Sequence, residues 1–251
     1  MIKERVGAIM MLVLLAGAAG AEIQNPKPAK AELTPDEIIK AFTAKESEFY
    51  EAWSQYYYRQ IASIKVLSVN GAPAKQAMTL VFEVVFLDDG TREVRLVERT
   101  GRLRDVIWTP DDQDVITNFQ PFALTTKDLP NYDLKYQGKE RVDELNTYVF
   151  SVRPRSTKDG KLHFQGKIWI DDTDLQIVRT VGKVVPQTED SQFPEFETLR
   201  QLVDKKYWFP VWSHADSMLN FRNDRVRIEE TITYEGFKRF ASSVIVKPIK
   251  K

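Results

Sequence analysis

FQGKIWIDDTDLQIVRTVGK, Phe164 to Lys183, sets three aspartates within four positions between two runs in which apolar and polar residues alternate. Asp172 and Asp174 match the first two ligand positions of a calcium loop. Gln176 is a poor third, however, and Ile177 stands where the sharp turn of such a loop needs glycine. Ile168 and Ile170 before the acids, and Ile177 and Arg179 after them, keep the period of two that marks strands. Aspartate favours turns because its carboxylate bonds to nearby backbone amides. The stretch therefore predicts a hairpin, with Asp171, Asp172 and Asp174 as its turn.

The same alternation recurs on both sides. YYYRQIASIKVLSV, AMTLVFEVVFL and TREVRLVERT precede it, the last two joined by a tight turn at Asp88, Asp89 and Gly90. NYDLKYQGKERV, ELNTYVFSVRP, FETLRQLV, KYWFPVWSHADSML, VRIEETITYEGFKRF and SSVIVKPI fill the second half. No helical crossover separates these strands, so they call for one large antiparallel sheet with one buried and one wet face. AMTLVFEVVFL is apolar on both parities and reads as a central strand. Pro210, inside the aromatic cluster YWFPVW, confines its strand to an edge or a bulge.

Two helices break the pattern. Thr34, Pro35, Asp36 and Glu37 form a helix start with a cap, a proline at the first position and an acid three residues on. Ile38, Ile39, Phe42, Phe49, Ala52 and Trp53 continue it at helical spacing. Thr109 caps a shorter helix over 110–119, with Asp111 and Asp112 in its first turn. The fold class is mainly β with helices (α+β), a curved antiparallel sheet forming a half-closed barrel around the N-terminal helix.

Residues 1–21 carry Lys3 and Arg5, an apolar run from Val6 to Leu15, and the small exit Ala19, Gly20, Ala21, which reads as a cleavable secretory signal. Residues 22–33 form a proline-bearing flexible leader, and 34–251 a single domain. The chain is thus expected to be exported, with the bacterial periplasm the best fit. Cysteine is absent, which removes disulfides, thiol chemistry and a lipidated anchor. Without Lys3, Arg5 and Glu4 the 36 basic and 36 acidic side chains become 34 and 35, a balance that argues against a nucleic-acid binder.

Motifs for catalysis are missing. GxSxG, SxxK, HExxH and the glycine-rich phosphate loops do not occur, and His163 and His214 stand far apart as surface residues. No catalytic residue, metal site or cofactor is expected. A hydrolase with two unrecognised carboxylates is a remaining alternative, which would need two acids converging in one pocket.

Tyr136, Gly138, Glu140, Val142, Tyr148, Val149, Phe150, Val152, Pro154, Gly166, Ile168, Trp169, Ile170, Asp171, Gln176 and Ile177 form the run Y.G.E.V.....YVF.V.P...........G.IWID....QI. It resembles the central hairpins of the LolA/LolB-like periplasmic proteins, the outer-membrane lipoprotein-sorting family. The resemblance is closest over 130–185 and looser over 34–130. It implies an incomplete antiparallel barrel closed by helices, with a cavity for acyl chains of lipids or lipoproteins and no catalytic residues. Its candidate lining here is Leu80, Phe82, Val84, Phe86, Leu96, Phe150, Ile168 and Ile170. The helix at 110–119 would be a lid. The expected partner is an acyl chain, with peripheral membrane contact. The alternative is an envelope sensor or protein-interaction module on the same fold.

Overall fold

The computed structural model describes residues 32–68, 76–87 and 91–240. The expected signal, most of the leader, the turn at Asp88, Asp89 and Gly90, and the last expected strand, 242–249, lie outside the described residues.

The N-terminal helix α1 (Pro35–Trp53) begins as its sequence predicts. The Thr34 hydroxyl accepts from the Glu37 amide, and the Glu37 carboxylate accepts from the Thr34 amide at 2.8 Å. This reciprocal box satisfies two amides that have no partner inside the helix. One apolar stripe, Ile38, Phe42, Phe49, Ala52 and Trp53, is buried.

The ten strands are β1 (Tyr56–Leu67), β2 (Gln76–Phe86), β3 (Arg92–Gly101), β4 (Tyr132–Val142), β5 (Leu145–Pro154), β6 (His163–Asp171), β7 (Ile177–Val185), β8 (Phe196–Val203), β9 (Tyr207–Asn220) and β10 (Arg225–Arg239). They form one curved antiparallel sheet in the order β3-β2-β1-β10-β9-β8-β7-β6-β5-β4. The chain starts two strands in from one edge, steps out to that edge through β1, β2 and β3, and crosses to the far edge over residues 102–131. It then meanders back until β10 pairs with β1. The two edge strands do not pair, so the barrel stays open. Helix α1 lies against the inner face, where Phe42 meets Phe150 of β5 and Phe49 meets Phe209 of β9, at ring separations of 6.1 and 5.7 Å.

Alternation of apolar and polar residues puts Tyr56, Tyr58, Ala62 and Ile64 of β1 inside, with Val226, Ile228, Ile232 and Tyr234 of β10. Both open edges carry charge, Arg92, Glu93, Arg95, Glu98 and Arg99 on β3 and Lys135, Lys139, Glu140 and Arg141 on β4. Charged edge strands discourage pairing with another chain. Strand β2 is next to the edge strand β3, not central as its composition suggests; its inner residues Met78, Leu80, Phe82 and Val84 are buried, while Val85 and Leu87 are only half-buried. The central places belong to β9 and β8. Pro210 sits in β9, an interior strand, beside a bulge: Leu199 pairs with Trp212 and Arg200 with Pro210, leaving Val211 extra.

The opening stretch folds as a hairpin between β6 and β7. The Asp171 carboxylate accepts from the Thr173 and Asp174 amides at 3.1 and 2.7 Å, and Leu175 completes the turn in the left-handed region. Asp174 accepts from the Trp208 indole at 3.0 Å. Gly166 and Gly182 face each other across this hairpin, and a Cβ at Gly182 would stand 2.7 Å from the Phe164 ring. Glycine is needed there because the ring lies flat on the strands.

An ion pair is sealed between α1 and the sheet. Glu46 and Arg200 are fully buried, joined by two contacts of 3.0 Å. Burial pushes the Glu46 carboxyl up, and Arg200 and the Ile177 amide, 3.0 Å away, pull against it. The guanidinium lies 4.2 Å from the Phe49 ring centre and donates to the Phe122 carbonyl. Removing one member of such a pair strands a charge in low dielectric. Arg200→Met is therefore expected to lower unfolding free energy by about 3–5 kcal/mol. Glu46→Leu with Arg200→Met should lower it less than Arg200→Met alone, which chemical denaturation of the three proteins measures.

Candidate functional site

The segment 102–131 has to cross the inner face of the sheet, and it does so mostly without regular structure. It holds one short helix, α2 (Pro110–Asp114), followed directly by a π-helical turn, Val115–Phe119. The expected helix over 110–119 thus exists in two geometries. Thr109 caps it as predicted: Asp112 accepts from the Thr109 amide and hydroxyl, both at 2.7 Å. π-turns are uncommon and tend to mark functional sites.

Backbone groups of such a segment need partners once buried. The sheet supplies them through polar residues at inward positions. Gln60 of β1 donates to the Ile116 carbonyl at 2.8 Å, Thr198 of β8 to the Gln120 carbonyl at 2.9 Å, and Arg200 to the Phe122 carbonyl. Glu230 of β10 accepts from the Gln120 side chain. Apolar contacts complete the cover, with Leu103 and Ile116 in the core under α1 and Phe122 stacked on Phe164 at 4.2 Å.

Where this cover ends there is a cavity of about 80 Å³. Its walls are Ile64, Leu103, Ile116, Leu219 and Ile228, and its rim carries Ile107, Trp108, Phe193 and Phe221. Ile107 is 86% exposed, a large aliphatic side chain left in water at the mouth of an apolar hole. Three acids line the cavity: Asp190, paired with Arg222 at 2.9 Å, together with Asp112 and Glu230. Burial, opposed by Gln120 and reinforced by the charge of Asp112, pushes the Glu230 carboxyl up to about 7. Burial also raises Asp112, against its bonds to Thr109.

Two acids in one pocket is the condition the hydrolase alternative sets. The surroundings do not suit it. Asp112 is occupied as a helix cap, the walls are aliphatic, and 80 Å³ corresponds to about six water positions at 10–15 Å³ each, far short of a sugar-binding cleft.

The eight residues named from the sequence lie elsewhere on the sheet. Leu80, Phe82 and Val84 of β2 are packed in the core with Phe49, Trp53, Leu103 and Ile116. Phe150, Ile168 and Ile170 of β5 and β6 are fully buried. Phe86 is half-buried, stacked on Phe240 at 4.4 Å, and Leu96 is 42% exposed on edge strand β3. None of the eight lines the 80 Å³ cavity. The residues that do line it carried a legible signal in one case: in VRIEETITYEG, Glu230 occupies an inward parity shared with Val226, Ile228, Ile232 and Tyr234. His163 bonds Asp159 at 2.9 Å and His214 bonds Thr231 at 3.2 Å, each at a partly exposed site.

No protein-family model and no characterised protein matches the sequence. Three solved structures resemble the chain over most of its length. A putative outer membrane lipoprotein-sorting protein domain from Vibrio parahaemolyticus is 8% identical, covering 84% of this chain and 95% of its own, with a TM-score of 0.39. A DUF1329 family protein from Desulfovibrio piger is 13% identical over 83% and 95%, with a TM-score of 0.38. A LolA superfamily protein from Nitrosomonas europaea is 10% identical over 80% and 94%, with a TM-score of 0.34. At such values the likeness carries no functional argument. Among the described residues no helix is long and apolar enough to cross a membrane.

The raised carboxyl gives a stability prediction. The folded protein holds the Glu230 proton up to about 7, whereas the unfolded chain releases it near 4.5. The carboxyl's contribution is whole below about 4.5 and is lost as pH rises through about 7. Glu230→Gln keeps size and hydrogen bonding without ionising. Its unfolding free energy relative to wild type should rise by about 3 kcal/mol between about pH 5 and pH 8, measured by urea denaturation.

Proposed function

We propose that the protein is an exported, non-enzymatic binder of acyl chains, acting in the periplasm, with residues 104–114 as the movable part of the cover. One observation carries the reading: the exposed Ile107 and the half-buried Trp108 and Phe221 ring the mouth of an apolar cavity that leads onto the inner face. The likeness of residues 130–185 to lipoprotein-sorting proteins supports it. In this reading lifting 104–114 enlarges the space along β1 and β2, so that Leu80, Phe82, Val84 and Phe86 line it. Phe150, Ile168 and Ile170 belong to its deeper end, and Leu96 to the edge strand beside Phe82. Each buried methylene contributes about 0.8 kcal/mol, so an acyl chain needs no polar anchor to bind.

Ile107→Asp tests the mouth. The side chain is on the surface, so stability should stay within about 0.5 kcal/mol of wild type. Affinity for a fluorescent fatty acid should fall by about tenfold or more. Wild-type protein purified without detergent should also yield lipid on solvent extraction and mass spectrometry. A lipid-free extract together with no fatty-acid binding overturns the proposal.

A second reading, a protein-interaction module, is favoured by one feature: the inner face is largely filled while β3 exposes Leu96 and Val97 beside an unpaired strand edge. Cross-linking in the envelope separates the two, trapping a protein rather than lipid if the edge is the working surface.

A further inference from the structure

We infer that the cavity under the crossover is a site for a compact hydrophobic amine, whose ammonium group is received by Glu230 with Asp112 beside it. The proposal does not rest on acyl-chain uptake. It follows from the charge and hydrogen-bonding inventory of the cavity.

No lysine, arginine or histidine is among the described residues that line the cavity. Of its three acids only Asp190 has a cation, Arg222. Glu230, 5% exposed, sits between Ile64 of β1 and Ala215 of β9, and the hydrogen bond it receives comes from a neutral amide. A buried carboxylate is ordinarily paired with a charge. The groups facing it are Gln120 and Asp112 of the crossover, Tyr234 of its own strand and, further off, Tyr58 of β1. None of these is a cation.

Acceptors are also in excess. The carbonyl oxygens of the Gln60 and Gln120 side chains are buried and have no hydrogen-bond partner among the described residues. Gln120 contacts Glu230, and Gln60 bonds the backbone of Ile116, itself a wall of the cavity. Buried acceptors without donors are uncommon in folded proteins. Neither glutamine lines the cavity, so the group a ligand meets is the Glu230 carboxylate, which an ammonium group, with one positive charge and up to three donors, complements. The aliphatic walls and the aromatic rim accept hydrocarbon, and Trp108 can also face a cation.

Size sets the class. A space of 80 Å³, about six water positions, holds a ring or a short branched chain beside the nitrogen. An alkyl- or arylalkylammonium fits, whereas a carboxylate of the same shape would meet two acids with no base.

The test uses the mature protein and three ligands of matched shape: phenethylammonium, phenethyl alcohol and 3-phenylpropanoate, titrated calorimetrically at about pH 8, where Glu230 is ionised. The ammonium should bind at least about tenfold more tightly than the alcohol, and the carboxylate most weakly. Glu230→Gln should remove most of the ammonium preference and leave alcohol binding within about threefold of wild type. Asp112→Asn is a second variant, expected to weaken the ammonium by a smaller factor. Lowering the pH to about 5 should reproduce the effect of Glu230→Gln in the wild type. Equal binding of the three ligands, absence of binding by all of them, or an ammonium preference that survives Glu230→Gln overturns the inference. Extracted lipid and fatty-acid titration decide the acyl reading separately, so either proposal can fail without the other.

Discussion

The sheet is built around a segment that has to run through its interior. With β3 at one edge of the strand order and β4 at the other, the link between them must pass over the inner face. Residues 102–131 make that passage with a five-residue helix, a π-turn and a three-residue 3-10 turn, so most of their buried backbone is not self-satisfied. Each buried polar group left without a partner costs about 1–3 kcal/mol. The inward polar residues of otherwise apolar strands answer this need. Gln60, Thr198 and Arg200 meet the carbonyls of Ile116, Gln120 and Phe122. Burying Arg200 then requires Glu46, and Glu46 in turn takes the Ile177 amide at the bulge beside the β6–β7 hairpin. One topological demand thereby fixes a set of inward polar side chains from β1, β8 and α1.

Glu230 belongs to this set by position and not by charge. It anchors the Gln120 side chain but has no counter-ion, and its burial is what lifts its proton affinity into the neutral range. The contrast with Glu46 is instructive because both are buried glutamates against the inner face. Glu46 is held by a bidentate guanidinium and serves packing. Glu230 borders a cavity, and a buried titratable group in that setting marks a place where something can bind.

Much of the architecture was legible in the residues. The period of two from Tyr56 onward, the Thr34 capping signal and the failed calcium spacing at Asp172 to Ile177 led to one antiparallel sheet, a leading helix and a hairpin turn. The order of strands was not legible, because alternation reports which face is buried and is silent on neighbours. Hence β2, apolar on both parities, reads as central although it stands beside an edge; of its outward residues Val81 is buried, opposite the place where β3 bulges at Val97, whereas Val85 is only half-buried. The cavity was hidden for a related reason. Its lining comes from β1, β9, β10, the crossover and the loop at 190–194, five places with no common sequence pattern. The apolar residues that did stand out, such as Phe82 and Ile168, stood out because they are core.

The crossover is anchored unevenly, and this decides where it can open. From Val115 to Thr125 most of its residues are buried and the carbonyls of Ile116, Gln120 and Phe122 are held by the sheet; Phe122 is stacked on Phe164, and Arg200 ties it to α1. Before Val115 the stretch is tied at its start, where Gln76 of β2 donates to the Asp105 carboxylate and accepts from the Arg104 and Asp105 amides; beyond that no residue of α2 is buried, Ile107 projects into water, and the helix start is satisfied within itself by Thr109 and Asp112. Lifting the first half would uncover Val106 and Trp108 and break the bonds to Gln76, whereas lifting the second half would strip three carbonyls and an arginine of their partners. The π-turn at Val115–Phe119 stands at the junction of the two halves, and behind it Gln120 is held against Glu230. The inward polar residues that make the crossing possible therefore hold its second half, and the stretch that covers the cavity is held instead by Gln76 at its start and by apolar packing.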